Sequence, residues 1–263
     1  NSLKKETVIF CESNSYSIYF EELLNKVNQN KINFIYLCEY GDENIIKSNI
    51  KRDNFYQFYN QFFLTLIISN LKCENLILTT PDFGNGNLKL SKNCKKIIYF
   101  FHSIVSSNMI YNEKAFDNYD IICCVGNHHN LEFKEHFSSS GLIKKNLLEC
   151  GYPYLDQLLK SSKENSYEKN HILIAPTWYP KNPNFYHENY SHLVAELLKN
   201  NFKITFRPHP EFLKRFEVRF NEFCENFEKN SNFKIDKSKS NLISMEKCEY
   251  LITDWSGIAF EFA

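Results

Sequence analysis

Short apolar runs alternate with amphipathic stretches along the whole chain. In the first half, the apolar runs that predict strands are TVIFC, NFIYLC, NLILTT, KIIYFF, DIICCVG and LLECG. Between them, helical spacing of apolar residues predicts helices near Tyr16–Asn28, Asn54–Leu71, His128–Phe137 and Leu155–Ser161. Strands that alternate with helices are typical of βαβ units, so this pattern predicts a parallel sheet covered by helices.

The most polar and least periodic stretch is SSKENSYEKN, residues Ser161–Asn170. Such a stretch is typical of an interdomain linker. After it the alternation resumes, with predicted strands at HILIAP, FKITFRPHP, NFKID and EYLITD and helices between them. This order is Rossmann-like. We therefore expect an N-terminal Rossmann-like domain over 1–160, a linker over 161–170 and a C-terminal Rossmann-like domain over 171–263.

The composition is that of a globular protein, and it indicates no particular kind of partner. The 263 residues are 43% hydrophobic, which is enough for a buried core in two domains. The formal net charge is zero, so no global field favours nucleic acid or an anionic membrane as a partner. No stretch approaches the ~18 uninterrupted apolar residues of a membrane span. Neither GxGxxG nor GxxxxGK[ST] occurs, so the usual dinucleotide and P-loop fingerprints are absent from the sequence.

The cysteines indicate a reducing compartment. There are nine, an odd number, mostly within apolar runs, and no CxxC pair occurs among them. This favours buried, reduced thiols in a cytosolic protein over disulfides or a metal site. Cys123 and Cys124 are adjacent in a predicted strand, so their side chains should lie on opposite faces of the sheet.

Polar residues at the ends of predicted strands are the candidates for chemistry, because doubly wound sheets bind ligands at their carboxyl edges. His102 follows KIIYFF and could act as a general base, or could simply pack beneath the next loop. Thr177 follows HILIAP in a proline-stiffened loop. Arg207 and His209 stand beside two prolines at the end of a strand, where a guanidinium and an imidazole suit phosphate oxygens.

The last segment, YLITDWSGIAFEFA, combines a strand, a polar turn and the start of a helix. Ser256 and Gly257 would lie at the helix N-terminus, where free amides favour a phosphate. Glu261 is one turn further along and could accept hydrogen bonds from a ribose diol. In the alternative, Asp254 and Ser256 only cap the helix.

Five segments in this order resemble the CDP-glycerol glycerophosphotransferase family, the teichoic acid and capsule polymerases with a GT-B fold. They are His102 after its strand, GYPYLD (Gly151–Asp156), APTW (Ala175–Trp178), RPHP (Arg207–Pro210) and TDWSGIAFE (Thr253–Glu261). The resemblance implies an α/β, GT-B-like fold whose two Rossmann-like domains have parallel sheets facing a cleft. It also implies an incomplete C-terminal domain, because members of the family carry further helices beyond this point.

The resemblance implies a transferase that moves a polyol phosphate, of the glycerol- or ribitol-phosphate type, from a CDP-activated donor to a hydroxyl acceptor. The acceptor would be a polysaccharide or a lipid-linked chain in capsule, teichoic acid or lipooligosaccharide synthesis. His102 would be the general base, and His209 would stabilise phosphate charge. Residues implied in donor binding are Thr177, Arg207, Asp254, Ser256, Gly257 and, at the ribose, Glu261.

The residues quoted do not require a metal or another cofactor for the transfer, and the balanced charge predicts no nucleic acid partner. The resemblance implies a cytoplasmic protein with peripheral contact at the inner face of the cell membrane. Two departures from the family pattern stand out: the Gly and Lys of His-Gly-Thr-x-x-Lys are missing after His102, and Gly257 replaces a Ser. Two other functions therefore stay open, a GT-B glycosyltransferase that uses a nucleotide sugar and a non-catalytic nucleotide-binding module.

Overall fold

A computed structural model describes residues 5–41, 50, 54–84, 91–140, 145–162, 167–238 and 240–263. The contacts within it divide the chain into two compact units, Asn1–Tyr154 and Leu155–Ala263. Each unit is built on a parallel sheet, as the alternating pattern predicted. The fold class is therefore α/β with two parallel sheets.

The described part of the first unit forms a seven-stranded sheet in the order β3-β2-β1-β4-β5-β6-β7. Its strands are β1 (Lys5–Cys11), β2 (Phe34–Glu39), β3 (Phe55–Phe58), β4 (Cys73–Leu78), β5 (Cys94–Phe100), β6 (Ile121–Cys124) and β7 (Asn146–Glu149). Its helices are α1 (Ser17–Gln29), α2 (Gln61–Ser69), α3 (Ser107–Ile110) and α4 (Asn127–Ser140), and a short 3-10 turn covers Asn14–Tyr16. All the paired strands are parallel.

One predicted element of this unit is wrong. The helix expected over Asn54–Leu71 begins only at Gln61, and Phe55–Phe58 form β3 instead. The aromatic run around these residues suits a buried helix turn as well as a strand, so periodicity could not separate them. Phe55–Phe58 form a strand because they pair with β2, with Tyr36 opposite Phe55.

Two cores cover the two faces of the first sheet. Val8 and Phe10 of β1 pack into one buried cluster, whereas Ile9 and Cys11 pack into the other. Successive strand residues point to opposite faces, so this division follows from the pleat. As predicted, the adjacent cysteines separate in the same way, with Cys124 in the first cluster and Cys123 in the second. The two clusters also include buried residues of the other strands, of α1, α2 and α4, and of the connecting loops.

The second unit has a four-stranded sheet in the order β10-β9-β8-β11, with all pairs parallel. Its strands are β8 (Glu168–Ile174), β9 (Lys203–Phe206), β10 (Phe233–Ile235) and β11 (Cys248–Ile252). Its helices are α5 (Pro153–Ser162), within which the two units divide, α6 (Phe185–Lys199), α7 (Pro210–Glu225), α8 (Leu242–Lys247) and α9 (Ile258–Phe262). Helix α6 buries Tyr186, Tyr190, Val194 and Leu198, a four-residue repeat that forms one face.

The region predicted as a linker, 161–170, is partly regular structure. Helix α5 continues to Ser162, and β8 begins at Glu168, three residues before the strand start expected at His171. Residues 163–166 lie outside the described part of the chain. The domain boundary at 161–170 stays a prediction.

In each sheet there is one pair of neighbouring strands at which the strand order reverses, so that the chain connections on either side of the pair lead to opposite edges of the sheet. In the first unit this pair is β1 and β4, and in the second it is β8 and β11. At such a switch point the loops after the two strands diverge and leave a crevice at the carboxyl edge, which is where ligands bind in open α/β sheets. We therefore expect a ligand site at each of these two points.

Candidate functional site

His102 lies two residues beyond β5, at the carboxyl edge of the first sheet, and is held by the loop after β4. Its Nδ1 is 2.8 Å from Thr79 Oγ1 and 3.1 Å from the Thr79 carbonyl oxygen. On the other side of the ring, Nε2 is 3.4 Å from the Tyr111 hydroxyl. Burial raises the pKa of Tyr111 to about 12, so this hydroxyl remains protonated at neutral pH. The imidazole is thus fixed at both nitrogens.

Aromatic rings surround His102. The ring of Tyr16 is 4.9 Å from the imidazole and that of Tyr19 is 6.0 Å away, measured between centroids. Tyr152, in the GYPYLD segment, donates from its hydroxyl to the His102 carbonyl oxygen at 3.3 Å. Because Tyr16 and Tyr19 come from the turn after β1 and the start of α1, His102 lies beside the switch point between β1 and β4.

The loop that follows His102 is fastened to helix α4. The Nε2 atoms of His128 and His129 lie 2.9 Å and 2.8 Å from the carbonyl oxygens of Ile104 and Val105 respectively. In addition, the Glu132 carboxylate accepts from the Ser107 amide at 2.7 Å and from the Ser107 hydroxyl at 2.6 Å.

Both loop carbonyls need donors, so each of these imidazoles carries its proton on Nε2. Desolvation lowers the pKa of His129, which is fully buried, and keeps the ring neutral. This loop is the one that lacks the family's Gly and Lys, and α4 holds it through main-chain groups instead.

At the second switch point, Asp254 joins the loops that follow β8 and β11. Its Oδ1 accepts from the Thr177 amide at 2.8 Å, and its Oδ2 lies 3.4 Å from the Tyr190 hydroxyl. Beside it, the Thr253 hydroxyl donates to the Ala175 carbonyl at 2.7 Å. Burial and the nearby carboxylate raise the pKa of Tyr190, so Tyr190 stays a donor. The structure therefore brings Thr177 and Asp254 together, as a site at this edge requires.

Arg207 faces the loop after β10. Its Nη1 contacts Asp236 Oδ2 at 2.5 Å and Ser238 Oγ at 3.2 Å, and its Nη2 donates to the Ser238 carbonyl at 2.9 Å. Burial tends to raise the pKa of Asp236, but hydrogen bonds from Ser238 and Ser244 and the charge of Arg207 outweigh it and lower that pKa. The planar guanidinium thus orders this loop. Binding of donor phosphate by Arg207 stays a prediction.

His209 forms the N-cap of helix α7. Its backbone is extended (φ −63°, ψ 135°), and its Nδ1 accepts from the Glu211 amide at 3.2 Å. Pro210 occupies the first helical position, where its missing N–H costs nothing. The His209 amide donates to the buried Tyr186 hydroxyl at 2.9 Å. Burial lowers the pKa of His209 to about 4, so the ring is neutral at physiological pH.

The Trp178 ring packs on His209, and a cationic side chain packs on Trp178 in turn. The Trp178 ring, from the APTW segment, is stacked on the imidazole with centroids 6.1 Å apart. The guanidinium carbon of Arg215 lies 5.2 Å from the centroid of the Trp178 ring. The loops after β8 and β9 are thereby packed together at this edge of the sheet.

The last candidate residues lie around helix α9. Gly257 is its N-cap, with helical torsions (φ −57°, ψ −23°), and so has no side chain with which to cap it. Asp254 does not cap the helix either, since its oxygens face Thr177 and Tyr190. Glu261 Oε2 accepts from the Asn241 amide group at 2.8 Å, which ties α9 to the start of α8. The roles of Ser256, Gly257 and Glu261 toward a donor stay predictions.

Several residues of these clusters were missed from the sequence. Thr79 and Asp236 lie at the ends of the predicted strands NLILTT and NFKID, so the strand-end rule used for the other candidates could have found them. Tyr111, Tyr190 and Glu132 gave no such signal, because they lie in a loop or on helices and reach the site only through the fold. In the described part of the chain, no group of three His, Cys, Asp or Glu side chains could hold a metal ion, and no helix is long and apolar enough to cross a membrane.

The sequence profile of one family matches residues 95–263, more than half of the chain. That family is described as "CDP-Glycerol:Poly(glycerophosphate) glycerophosphotransferase". The matched segment begins in β5 and includes all eight candidate residues named from the sequence. The resemblance predicted from the five segments is therefore confirmed.

A curated relative supports the same relationship over a shorter stretch. The minor teichoic acid biosynthesis protein GgaB of Bacillus subtilis (strain 168) is 31% identical over 145 residues. The aligned stretch is 46% of this chain but only 15% of that protein. The chain thus spans a small part of this relative's length.

Solved structures agree on the fold. The wall teichoic acid polymerase TagF has a TM-score of 0.57 at 15% identity, over 97% of this chain and 67% of that chain. A UDP-GlcNAc 2-epimerase from Methanocaldococcus jannaschii, in complex with UDP-GlcNAc and UDP, has a TM-score of 0.67 at 12% identity, over 98% and 81%. These likenesses concern the fold alone, and they confirm the predicted GT-B-like architecture.

Proposed function

The chain belongs to the CDP-glycerol:poly(glycerophosphate) glycerophosphotransferase family, and on that premise we propose that it moves a polyol phosphate from a CDP-activated donor to a hydroxyl acceptor. It is an enzyme of this family and is related to teichoic acid biosynthesis proteins. The finer proposal is that the transferred group is glycerol or ribitol phosphate. The product would be a cell-surface polymer, such as capsule, teichoic acid or lipooligosaccharide.

The observation that carries the proposal is the state of His209. Its Nδ1 lone pair accepts from the Glu211 amide, and its pKa is far below neutrality. A neutral imidazole has one proton, so that proton lies on Nε2. Nε2–H is then a fixed hydrogen-bond donor at the carboxyl edge of the sheet. Such a donor stabilises negative charge that develops on a phosphate without any need to reorganise.

The donor half of the site would be completed by the loops around β8 and β11. Thr177, held by Asp254, would offer its hydroxyl to the diphosphate, and Ser256 and Gly257 would offer a hydroxyl and an amide. Glu261 would accept hydrogen bonds from the ribose diol. Arg207 would either donate hydrogen bonds to the same phosphates or hold the loop after β10 in place.

His102 would act as the general base in the acceptor half. Because the Thr79 carbonyl can only accept, its distance of 3.1 Å from Nδ1 favours a proton on Nδ1. The lone pair is then on Nε2, the nitrogen beside the Tyr111 hydroxyl. An acceptor hydroxyl that displaces this weak contact at 3.4 Å would give its proton to Nε2.

In the proposed transfer, every proton and electron pair that moves has a defined donor and a defined destination. The acceptor oxygen attacks the phosphorus that carries the polyol, and its proton passes to His102 Nε2. The bond from that phosphorus to the bridging oxygen breaks, and CMP leaves with the electron pair on that oxygen. The product is a phosphodiester, and His102 returns its proton to solvent.

The partners and place of action follow from the same proposal. The donor would be CDP-glycerol or a similar CDP-activated polyol, and the acceptor a polysaccharide or lipid-linked chain. The protein would work in the cytoplasm, in peripheral contact with the inner face of the cell membrane, where lipid-linked acceptors are found.

A donor screen tests the proposal. The protein is incubated with CDP-glycerol, CDP-ribitol, UDP-, GDP- and CMP-sugars, and release of the nucleotide is measured with and without acceptor. We expect CMP release from a CDP-polyol only. Turnover of nucleotide sugars alone would instead identify a glycosyltransferase and overturn the proposal.

A thermal-shift series separates binding from turnover. A ligand that binds only the folded state raises the melting temperature, so CDP should stabilise the protein more than UDP, GDP or CMP at equal concentration. Stabilisation by CDP without turnover of any donor would favour the non-catalytic nucleotide-binding module.

A further inference from the structure

We propose that Cys73 and Cys94 form a thiol modification site, at which exchange with an anionic low-molecular-weight disulfide closes a reversible link between β4 and β5. Both residues lie in the first unit and are free thiols in this structure. Neither belongs to the site described above, so the inference goes beyond the proposed transfer and does not depend on it.

The two cysteines lie directly opposite each other at the start of neighbouring parallel strands. Cys73 pairs with Cys94 in the register of β4 and β5, and the two Sγ atoms are 3.5 Å apart. A disulfide requires about 2.0 Å between the sulfur atoms and about 4.4 to 6.8 Å between the Cα atoms. Neighbouring strands are about 4.8 Å apart, so the sulfur atoms can close the remaining distance of about 1.5 Å by side-chain rotation.

The two thiols differ in burial and in acidity. Cys73 is 5% exposed and packs in one core of the first unit, whereas Cys94 is half-buried against the same core. Cys73 donates to Cys94, and this hydrogen bond lowers the pKa of Cys94 although burial acts in the opposite direction. The same hydrogen bond, together with burial, raises the pKa of Cys73. Cys94 is therefore the thiolate that attacks first, and Cys73 is the thiol that follows.

The exchange takes two balanced steps. The Cys94 thiolate attacks one sulfur of the small disulfide, forms a mixed disulfide and releases a small thiolate. The hydrogen bond to Cys94 and its negative charge, which both raise the pKa of Cys73, are thereby lost. Cys73 then gives its proton to solvent and attacks the Cys94 sulfur, and the second small thiolate leaves. Two protein thiols are oxidised to one disulfide, and the small disulfide is reduced to two thiols.

Lysines next to the pair favour a negatively charged oxidant. The charged residues within two positions of either cysteine are Lys72, Glu74, Lys92, Lys95 and Lys96. Lys95 and Glu74 form a salt bridge at 2.8 Å, which leaves the other three lysines, all exposed, as excess positive charge. Opposite charge raises the local concentration of a small anion and the rate at which it arrives. Oxidised glutathione, which is an anion, therefore serves as the probe.

The same sheet contains a matched control pair. Cys11 and Cys38 are also opposite each other, on β1 and β2, and both are fully buried. Their Sγ atoms contact different main-chain carbonyl oxygens, that of Ser13 at 3.1 Å and that of Tyr56 at 3.9 Å. The two pairs thus share the same strand register but differ in burial and in the partners of the thiols. We expect no disulfide between Cys11 and Cys38.

A link between Cys73 and Cys94 would stabilise the first unit without reaching its carboxyl edge. It would join residues 21 positions apart, and such a loop lowers the entropy of the unfolded chain. The two cysteines begin β4 and β5, whereas Thr79 and His102 lie beyond the opposite ends of these strands. The oxidised protein should therefore keep the contacts of His102.

Peptide mapping by mass spectrometry tests the site. The protein is incubated with oxidised glutathione, alkylated and digested without reduction. Because Cys150 is exposed and can also react, the products are assigned peptide by peptide. We expect peptides joined through Cys73 and Cys94, which dithiothreitol separates, and roughly ten-fold less of any product joined through Cys11 and Cys38. Equal yields of the two products, or no link between Cys73 and Cys94, would overturn the proposal.

Two single variants separate the roles of the thiols. In C73S the mixed disulfide at Cys94 has no thiol to resolve it, so glutathione should accumulate there. In C94S the remaining thiol is buried, so Cys73 should take up no glutathione. The reverse pattern would contradict the assignment of Cys94 as the attacking thiol. Melting temperatures before oxidation check that both variants fold, and the mapping of the wild type tests the link without them.

Stability and salt dependence provide two further readouts. Oxidation should raise the melting temperature of the wild type by about 5 °C or more and leave that of C94S unchanged. Between about 0.05 and 0.5 M salt, screening should slow link formation by oxidised glutathione and accelerate it by cystamine, a cationic disulfide. A wild-type melting temperature that falls on oxidation would show that the fold does not accept the link. Equal salt dependence for the two oxidants would refute the preference for an anion.

Discussion

At the scale of single residues, His209 uses its two ring nitrogens for different purposes. Nδ1 accepts the Glu211 amide and caps α7, while Nε2 keeps the proton that the proposed reaction needs. Two prolines hold the residue in place, and Pro210 starts the helix. Stability and chemistry at this position can therefore be separated by substitution.

We predict that H209N and H209A differ in stability but not in activity. Asparagine can still accept the Glu211 amide, whereas alanine loses the cap at a cost of about 1 kcal/mol. Both lack the Nε2–H donor, so kcat should fall roughly 100-fold in each. Urea unfolding and CMP release from CDP-glycerol measure the two effects. Full activity of H209N would refute the role of the imidazole.

At the scale of elements, helix α4 positions the loop that follows His102. Glu132 accepts both the amide and the hydroxyl of Ser107, and His128 and His129 hold two loop carbonyls. The family pattern has a Gly and a Lys in this loop, and here Ser103–Ser107 replaces it. These contacts from helix α4 therefore fix the main-chain geometry of the loop after His102, in which this chain lacks the Gly and Lys of the family pattern.

We predict that E132A lowers kcat roughly ten-fold, because the loop next to His102 loses its anchor. The KM for the donor should stay the same, since the proposed donor residues lie in the second unit. Loss of these hydrogen bonds to a carboxylate should also reduce stability by about 1 to 3 kcal/mol. Steady-state kinetics with CDP-glycerol and urea unfolding measure both effects.

The matched control for E132A is E135A, which changes a residue on the exposed side of the same helix. It should change neither kcat nor stability. A rise in donor KM in E132A with an unchanged kcat would contradict the assignment of this loop to the acceptor half.

At the scale of the whole molecule, buried neutral histidines make stability depend on pH. Burial lowers the pKa of His129, His171 and His209, the last to about 4. In the unfolded chain a histidine has a pKa of about 6.5. Below that pH the unfolded state binds more protons than the folded state, so the free energy of unfolding decreases as pH falls.

We predict that the urea midpoint is highest near neutral pH and declines as pH falls from about 6.5 towards 4. H209N removes one of the three groups, so its midpoint should decline less steeply over the same range. Equilibrium unfolding followed by circular dichroism at several pH values provides the measurement. A wild-type midpoint that is constant over this window would show that these histidines protonate equally in both states.

Local sequence patterns were sufficient for most elements and for the family. Alternation of apolar runs predicted ten of the eleven described strands, because burial on both faces of a parallel sheet leaves a continuous apolar signature. Polar residues at the ends of strands marked His102, Thr177, Arg207 and His209, since the chain direction alone places strand ends at one edge.

Long-range contacts were needed for the rest. β3 became a strand through its pairing with β2, which periodicity of the aromatic run did not encode. The partners of the candidates, such as Thr79, Tyr111 and Tyr190, come from segments distant in sequence, and their side chains meet only through strand order and helix packing. Arg207 was predicted as a phosphate ligand from its type and position, but its contacts with Asp236 and Ser238 depend on β10 lying beside β9. Residue types and strand ends are local properties, whereas the distances between side chains depend on how the strands are ordered.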